Sequence, residues 1–195
     1  VAAKTTAGHD MNSRHLMRVL LVFACVLSAL ARAESTVVIV QGLGGNETYR
    51  AQFAEQVDAL AAAAATLTPA PAARVFREEE AEREAILDYL ASLAETTTEA
   101  EQLFIYLVGH GSYDEEEYKF NVSGPDLTDA DLKAALDAIP SGNQVVVNTS
   151  SASGAAADVW QADRRVVITA TRSGSERHAT RFGEHFAAAL TDPSA

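Results

Sequence analysis

Short apolar runs alternate with longer amphipathic stretches along most of this chain. Val37 to Val40 is a β-branched run too short for a helix, and it reads as a strand buried on both faces. Phe53, Val57, Leu60 and Ala64 then recur at helical spacing, and the alanine-rich stretch ends before Pro69 and Pro71. A short strand over Ala73 to Phe76 comes next. Glu78, Glu79 and Glu80 are expected to open the next helix, because carboxylates suit the positive end of its dipole. Ile86, Leu87, Leu90 and Leu93 form that helix's apolar face. Leu103 to Val108 predicts a central strand, and the polar excursion from Tyr113 to Phe120 predicts a small hairpin returning near Tyr118 to Val122. Thr128 and Asp131 have capping-box spacing ahead of Leu132, Leu136 and Ile139, with Pro140 as the stop. Val145 to Asn148 and Val166 to Thr169 read as the remaining strands, and Thr180 to Leu190 as a closing helix. Alternation of this kind predicts an α/β fold, a three-layer sandwich with a mostly parallel central sheet.

The first residues fall outside that pattern. Met11 is followed by Arg14, His15 and Arg18, an apolar run from Val19 to Leu30, and Ala31-Arg32-Ala33. A basic segment, a short apolar segment and small residues at A-x-A spacing specify a secretory signal peptide, too short to serve as a membrane anchor. The expected organisation is therefore 1-10 as over-translated residues, 11-33 as the signal peptide and 34-195 as one α/β domain that continues past its last helix. Cleavage after Ala33 places the mature protein in the periplasm or outside the cell. Lipidation at Cys25 is the rival outcome.

Removing the leader changes the chemistry available. Lys4, Arg14, Arg18 and Arg32 stand against Asp10, a net charge of +3, so a chain of −12 becomes a domain of −15. Such a surface repels phosphate and excludes nucleic acid and anionic membranes as partners. Cys25 is the only cysteine, so the mature domain has no thiol for a disulfide or for catalysis. His110, His178 and His185 are its histidines, and the last two read as surface or helix residues.

Two strand ends concentrate the chemistry. Phe104-Ile-Tyr-Leu-Val-Gly-His-Gly111 delivers an imidazole between glycines, and Val145-Val-Val-Asn-Thr-Ser-Ser-Ala-Ser-Gly154 delivers a hydroxyl cluster. Ligands and catalytic groups collect at the carboxyl edge of a parallel sheet. A base and a nucleophile on neighbouring strands are the parts of an acyl-transfer site. The alternative for Thr149 to Ser153 is a strand-to-helix turn whose hydroxyls bond to the backbone. Gly42-Leu-Gly-Gly45 lacks the residues of a phosphate loop, and Asp114 to Glu117 lacks calcium-loop spacing. No cofactor or metal is called for.

The order of these motifs resembles the legumain and caspase superfamily of cysteine peptidases, whose His-Gly follows one strand and whose Cys-x-Ser-Gly follows the next. Gly42-Leu-Gly-Gly-Asn-Glu-Thr-Tyr-Arg50 and Ile168-Thr-Ala-Thr-Arg-Ser-Gly-Ser-Glu176 are similar to segments of the legumain-like C13 peptidase family. The resemblance, from about Val37 to Leu190, implies His110 as base and Ser151 in the position of the cysteine. It also implies the N–H groups of Gly111 and Ser151 as oxyanion donors. Arg50 on one side, with Thr169, Ala170 and Thr171 on the other, would wall the pocket for the residue before the cut bond. The expected partner is a peptide or protein substrate with Asn or Asp there. An inactive peptide-binding module and a serine esterase on the same scaffold are the alternatives.

Overall fold

The computed structural model describes residues 34–67 and 73–191. Residues 1–33, on which the expected leader and over-translated segment fall, lie outside the described residues. Five parallel strands form the central sheet in the order β2-β1-β3-β7-β8: β1 (Ser35–Gln41), β2 (Arg74–Arg77), β3 (Gln102–Val108), β7 (Asn143–Asn148) and β8 (Arg165–Thr169). A second, antiparallel sheet holds β4 (Gly111–Tyr113), β5 (Tyr118–Phe120) and β6 (Leu127–Thr128). The helices are α1 (Glu47–Leu67), α2 (Arg83–Thr96), α3 (Asp129–Ala138), α4 (Ala157–Trp160) and α5 (Phe182–Thr191). The three-layer α/β expectation is met.

Alternation along the strands divides the core into two layers. Val38 and Val40 of β1 face Ile86, Leu90, Leu132 and Leu136 of α2 and α3. Val37 and Ile39 face Val57, Leu60 and Ala187 of α1 and α5 on the other side. Both faces of β1 and β3 are covered, which is why these strands read as unbroken apolar runs. Outer strand β8 is less covered, and its Val166 is 55% exposed.

Several local expectations change. The segment Glu78–Glu80 forms a 3-10 turn, and α2 starts only at Arg83, after buried Ala81. Glu78 takes a left-handed φ of 40°, which directs its carboxylate onto Arg50 rather than into a first helical turn. The polar excursion does return as the expected hairpin, β4 and β5, braced at Asp114, whose carboxylate accepts from the N–H groups of Glu116 and Glu117 and pairs with Lys119. No helix among the described residues is long and apolar enough to cross a membrane.

Thr128 and Asp131 do form a capping box at the start of α3. Asp131 also holds Arg83 through two hydrogen bonds of 2.6 and 2.7 Å. Arg83, with the Thr128 hydrogen bonds, lowers the Asp131 carboxyl to about 2. A carboxyl depressed by folding contributes stability above its unfolded value near 3.9, and that contribution fades as pH falls toward 2. Asp131→Asn keeps an acceptor for the cap but loses the charge paired with Arg83, at an expected cost of about 1 kcal/mol at neutral pH. It should also flatten the fall of stability between pH 4 and 2, measured by urea unfolding. An unchanged acid limb would show that the pair contributes nothing.

Candidate active site

The sheet order reverses at β1: the next strand, β2, lies on one side and β3 on the other. A crevice opens at such a switch point beyond the carboxyl ends of the strands. Gly42 and Gly109 meet there, with the Gly42 N–H donating to the Val108 carbonyl at 2.9 Å. A Cβ on Gly42 would lie 2.4 Å from the Asn121 carbonyl oxygen, so only glycine fits.

His110 stands at this crevice. Tyr49 and Phe53 of α1 pack against its ring edge-to-face, with centroids 4.8 and 5.0 Å away. Its Nε2 lies 3.2 Å from the Gly44 carbonyl oxygen. A carbonyl only accepts, so Nε2 carries the proton, and in the neutral ring Nδ1 carries the lone pair. The loop after β1 therefore sets the tautomer, and α1 sets the ring plane. Sequence reasoning missed this role for both aromatics: Tyr49 stands out only as part of a motif, and Phe53 only as a core position.

Ser151 follows β7 on the neighbouring strand and is 5% exposed. Its Oγ donates to the Gly111 carbonyl at 2.9 Å and accepts from the Gly111 N–H at 3.4 Å. The ladder explains why Gly111 is free to do this. The Asn121 N–H donates to the His110 carbonyl, which makes those two residues a hydrogen-bonded pair and leaves the Gly111 and Phe120 pair non-hydrogen-bonded. Both backbone groups of Gly111 therefore point away from β5 and toward Ser151. The N–H of Ser151 itself has no acceptor among the described residues. His110 and Ser151 share no hydrogen bond.

The neighbouring hydroxyls have structural partners. Thr149 Oγ1 donates to the Leu107 carbonyl, and Ser153 Oγ accepts from the N–H groups of Ala170 and Thr171. Ala152 takes a left-handed φ of 56° and donates its N–H to the Glu176 carbonyl. The Glu176 carboxylate accepts from the N–H groups of Arg172 and Ser173. From Ser153 the chain makes a 3-10 turn and then the four-residue α4, so no long helix dipole reaches this corner.

Along the carboxyl edge, Arg50 follows β1, His110 follows β3, Ser151 follows β7 and Thr169 to Thr171 end β8. Strand spacing of about 4.8 Å puts the β1 and β8 positions about 14 Å apart. Arg50 itself stands on α1 and not at the end of β1. Arg50 is committed to carboxylates, with Glu78 at 3.0 Å and Glu47 at 3.2 Å, and Glu78 above all raises its pKa. Thr169 Oγ1 donates to the Thr171 carbonyl, and Thr171 Oγ1 accepts from the Gly154 N–H, so both hydroxyls brace the loop. Ala170 donates its N–H to the Asn148 carbonyl. His178 and His185 are exposed.

A groove of about 660 Å³ runs between α1 and α5. Tyr49, Gln52, Gln56 and Thr180 line both this groove and a small recess against His110. The recess at the imidazole therefore shares part of its lining with that groove. No family model and no curated protein sequence matches this chain.

Proposed function

We propose that this chain is an exported acyl-transfer protein of the legumain-like C13 kind, acting on peptides, with Ser151 as nucleophile and His110 as base. The observation that carries the reading is the Gly111 N–H held on the Ser151 hydroxyl, with the His110 imidazole at the end of the neighbouring strand and its Nε2 on the Gly44 carbonyl. Donors held in place before the reaction are the largest single aid to a tetrahedral oxyanion.

In the reaction, Ser151 Oγ leaves the Gly111 carbonyl and attacks the substrate carbonyl carbon. Its proton passes to His110 Nδ1, either directly or through one water. The new oxyanion accepts from the N–H groups of Gly111 and Ser151. Collapse breaks the C–N bond, the imidazolium returns the proton to the leaving amine, and water repeats the sequence to release the acid. The α1–α5 groove receives the extended substrate. Arg50, exchanging Glu47 for a substrate side chain, favours Asn or Asp before the cut bond.

Binding without turnover is the second reading, favoured by the absence of a hydrogen bond between His110 and Ser151. A fluorophosphonate separates the two. Labelling that maps to Ser151 by peptide mass and disappears in His110→Ala is the expected result. A protein that stays unlabelled while binding Asn-containing peptides would be the inactive module.

A further inference from the structure

Beneath Gly111 lies a group of side chains that the reaction above does not use. Asn148, Tyr118 and Ser150 are each 0% exposed. Asn148 Nδ2 donates to the Tyr118 hydroxyl at 2.8 Å, and the Ser150 N–H donates to Asn148 Oδ1 at 3.1 Å. Tyr118 and Ser150 join their hydroxyls at 2.7 Å. Ser150 Oγ donates its only proton to the Ser151 carbonyl at 3.0 Å, so in the shared bond Tyr118 must be the donor. The direction of every hydrogen bond is thereby fixed, and Asn148, Tyr118 and Ser150 close a ring. Burial holds the Tyr118 phenol far above its usual range, so it remains a donor at any working pH.

The ring touches both proposed oxyanion donors. Ser150 Oγ and the Glu176 carbonyl hold the two ends of the Ser151–Ala152 peptide, while Asn148 Oδ1 holds the Ser150 N–H on the other side of Ser151. Gly111 rests directly on the Tyr118–Ser150 hydrogen bond: a Cβ there would lie 2.6 Å from each oxygen. Tyr118 is itself fixed by Trp160, edge-on at 5.9 Å, and by Asp129 Oδ2, which accepts the Tyr118 N–H.

We infer that Tyr118 and Ser150 are positioning residues that aim the N–H groups of Gly111 and Ser151 at the oxyanion, without touching substrate. This rests on the acyl-transfer reading and adds to it a requirement for the buried ring. Such a role affects only reactions that pass through an oxyanion, which makes it separable from a general structural role.

The test uses the full chain carrying Cys25→Ser and Ser151→Cys, with and without Tyr118→Phe. Each protein is reacted with p-nitrophenyl acetate and with iodoacetamide. In the first reaction the thiolate forms an S–C bond to the acetyl carbon, and nitrophenolate leaves with the electrons of the broken C–O bond through an oxyanion. In the second, iodide is displaced and no oxyanion forms. Tyr118→Phe should slow acylation about 10- to 100-fold and leave alkylation within about twofold. Ser150→Ala should repeat that pattern, and stands in for Tyr118→Phe if the latter melts below the assay temperature. Equal slowing of both reactions, or no slowing of acylation, overturns the positioning role and leaves the acyl-transfer reading standing. A parent thiol that alkylates but is never acylated overturns that reading, and the positioning role with it.

Discussion

Ser151→Cys is expected to raise cleavage after Asn or Asp by about 100-fold or more, and His110→Ala is expected to abolish the gain. The reason lies in where the proton sits. The Ser151 hydroxyl gives its hydrogen to the Gly111 carbonyl and not to His110. A serine in that state must first turn its proton from Gly111 toward His110, and so forfeits part of the roughly 10²- to 10⁴-fold that a positioned base is worth. A cysteine loses its proton before attack, since its unperturbed pKa is about 8.5, so it needs no hydrogen bond to the imidazole. His110 is then needed to protonate the leaving amine. Arg50→Ala in the same background should raise KM more than it lowers kcat, because Arg50 holds substrate and takes no part in bond making. Peptide hydrolysis by the two proteins, followed by mass spectrometry, decides the matter. Brisk cleavage by the unaltered chain, with Ser151→Ala equally fast, would remove Ser151 from the mechanism. An inert, folded cysteine variant would favour the binding module.

Trp160→Ala is expected to lower stability by about 3–5 kcal/mol, close to the limit a single domain tolerates. Trp160 is 1% exposed, packs edge-on against Tyr118, and donates its Nε1–H to the Asp129 carbonyl at 3.0 Å. Its removal opens a cavity where α4, α3 and β5 meet and leaves that carbonyl without its donor. Trp160→Phe should cost less, because it keeps most of the packing and loses only the hydrogen bond and part of the volume. Urea midpoints by tryptophan-independent circular dichroism measure both. A loss under about 1 kcal/mol for the alanine variant would mean that the site relaxes around the gap.

The parts of the fold that were legible are those where local and global preferences agree. Val37 to Val40, Leu103 to Val108 and Val145 to Asn148 are apolar on both faces because both faces are covered, and a double-sided run has few other interpretations. Thr128 and Asp131 carry their cap within three residues, so nothing distant had to be known. Glu78 to Glu80 misled for the opposite reason: their local preference for a helix start gives way to a left-handed turn at Glu78, whose carboxylate reaches Arg50, 28 residues away. The strand ends placed His110 and Ser151 on neighbouring strands. No local signal could place the Ser151 proton on Gly111, because that depends on ladder parity between β4 and β5. Tyr118 was hidden for the same kind of reason. It stands in a run of acidic and polar residues, and only the return of β5 beneath β7 buries it.

The closed ring of Asn148, Tyr118 and Ser150 also constrains how this sequence can drift. Changing one member alone orphans a buried polar partner at about 1–3 kcal/mol, and an apolar trio would still leave the Ser150 N–H and the Ser151 carbonyl unpaired. The three positions therefore resist substitution both singly and together, and variants at any of them should be rarer than variants at exposed positions nearby.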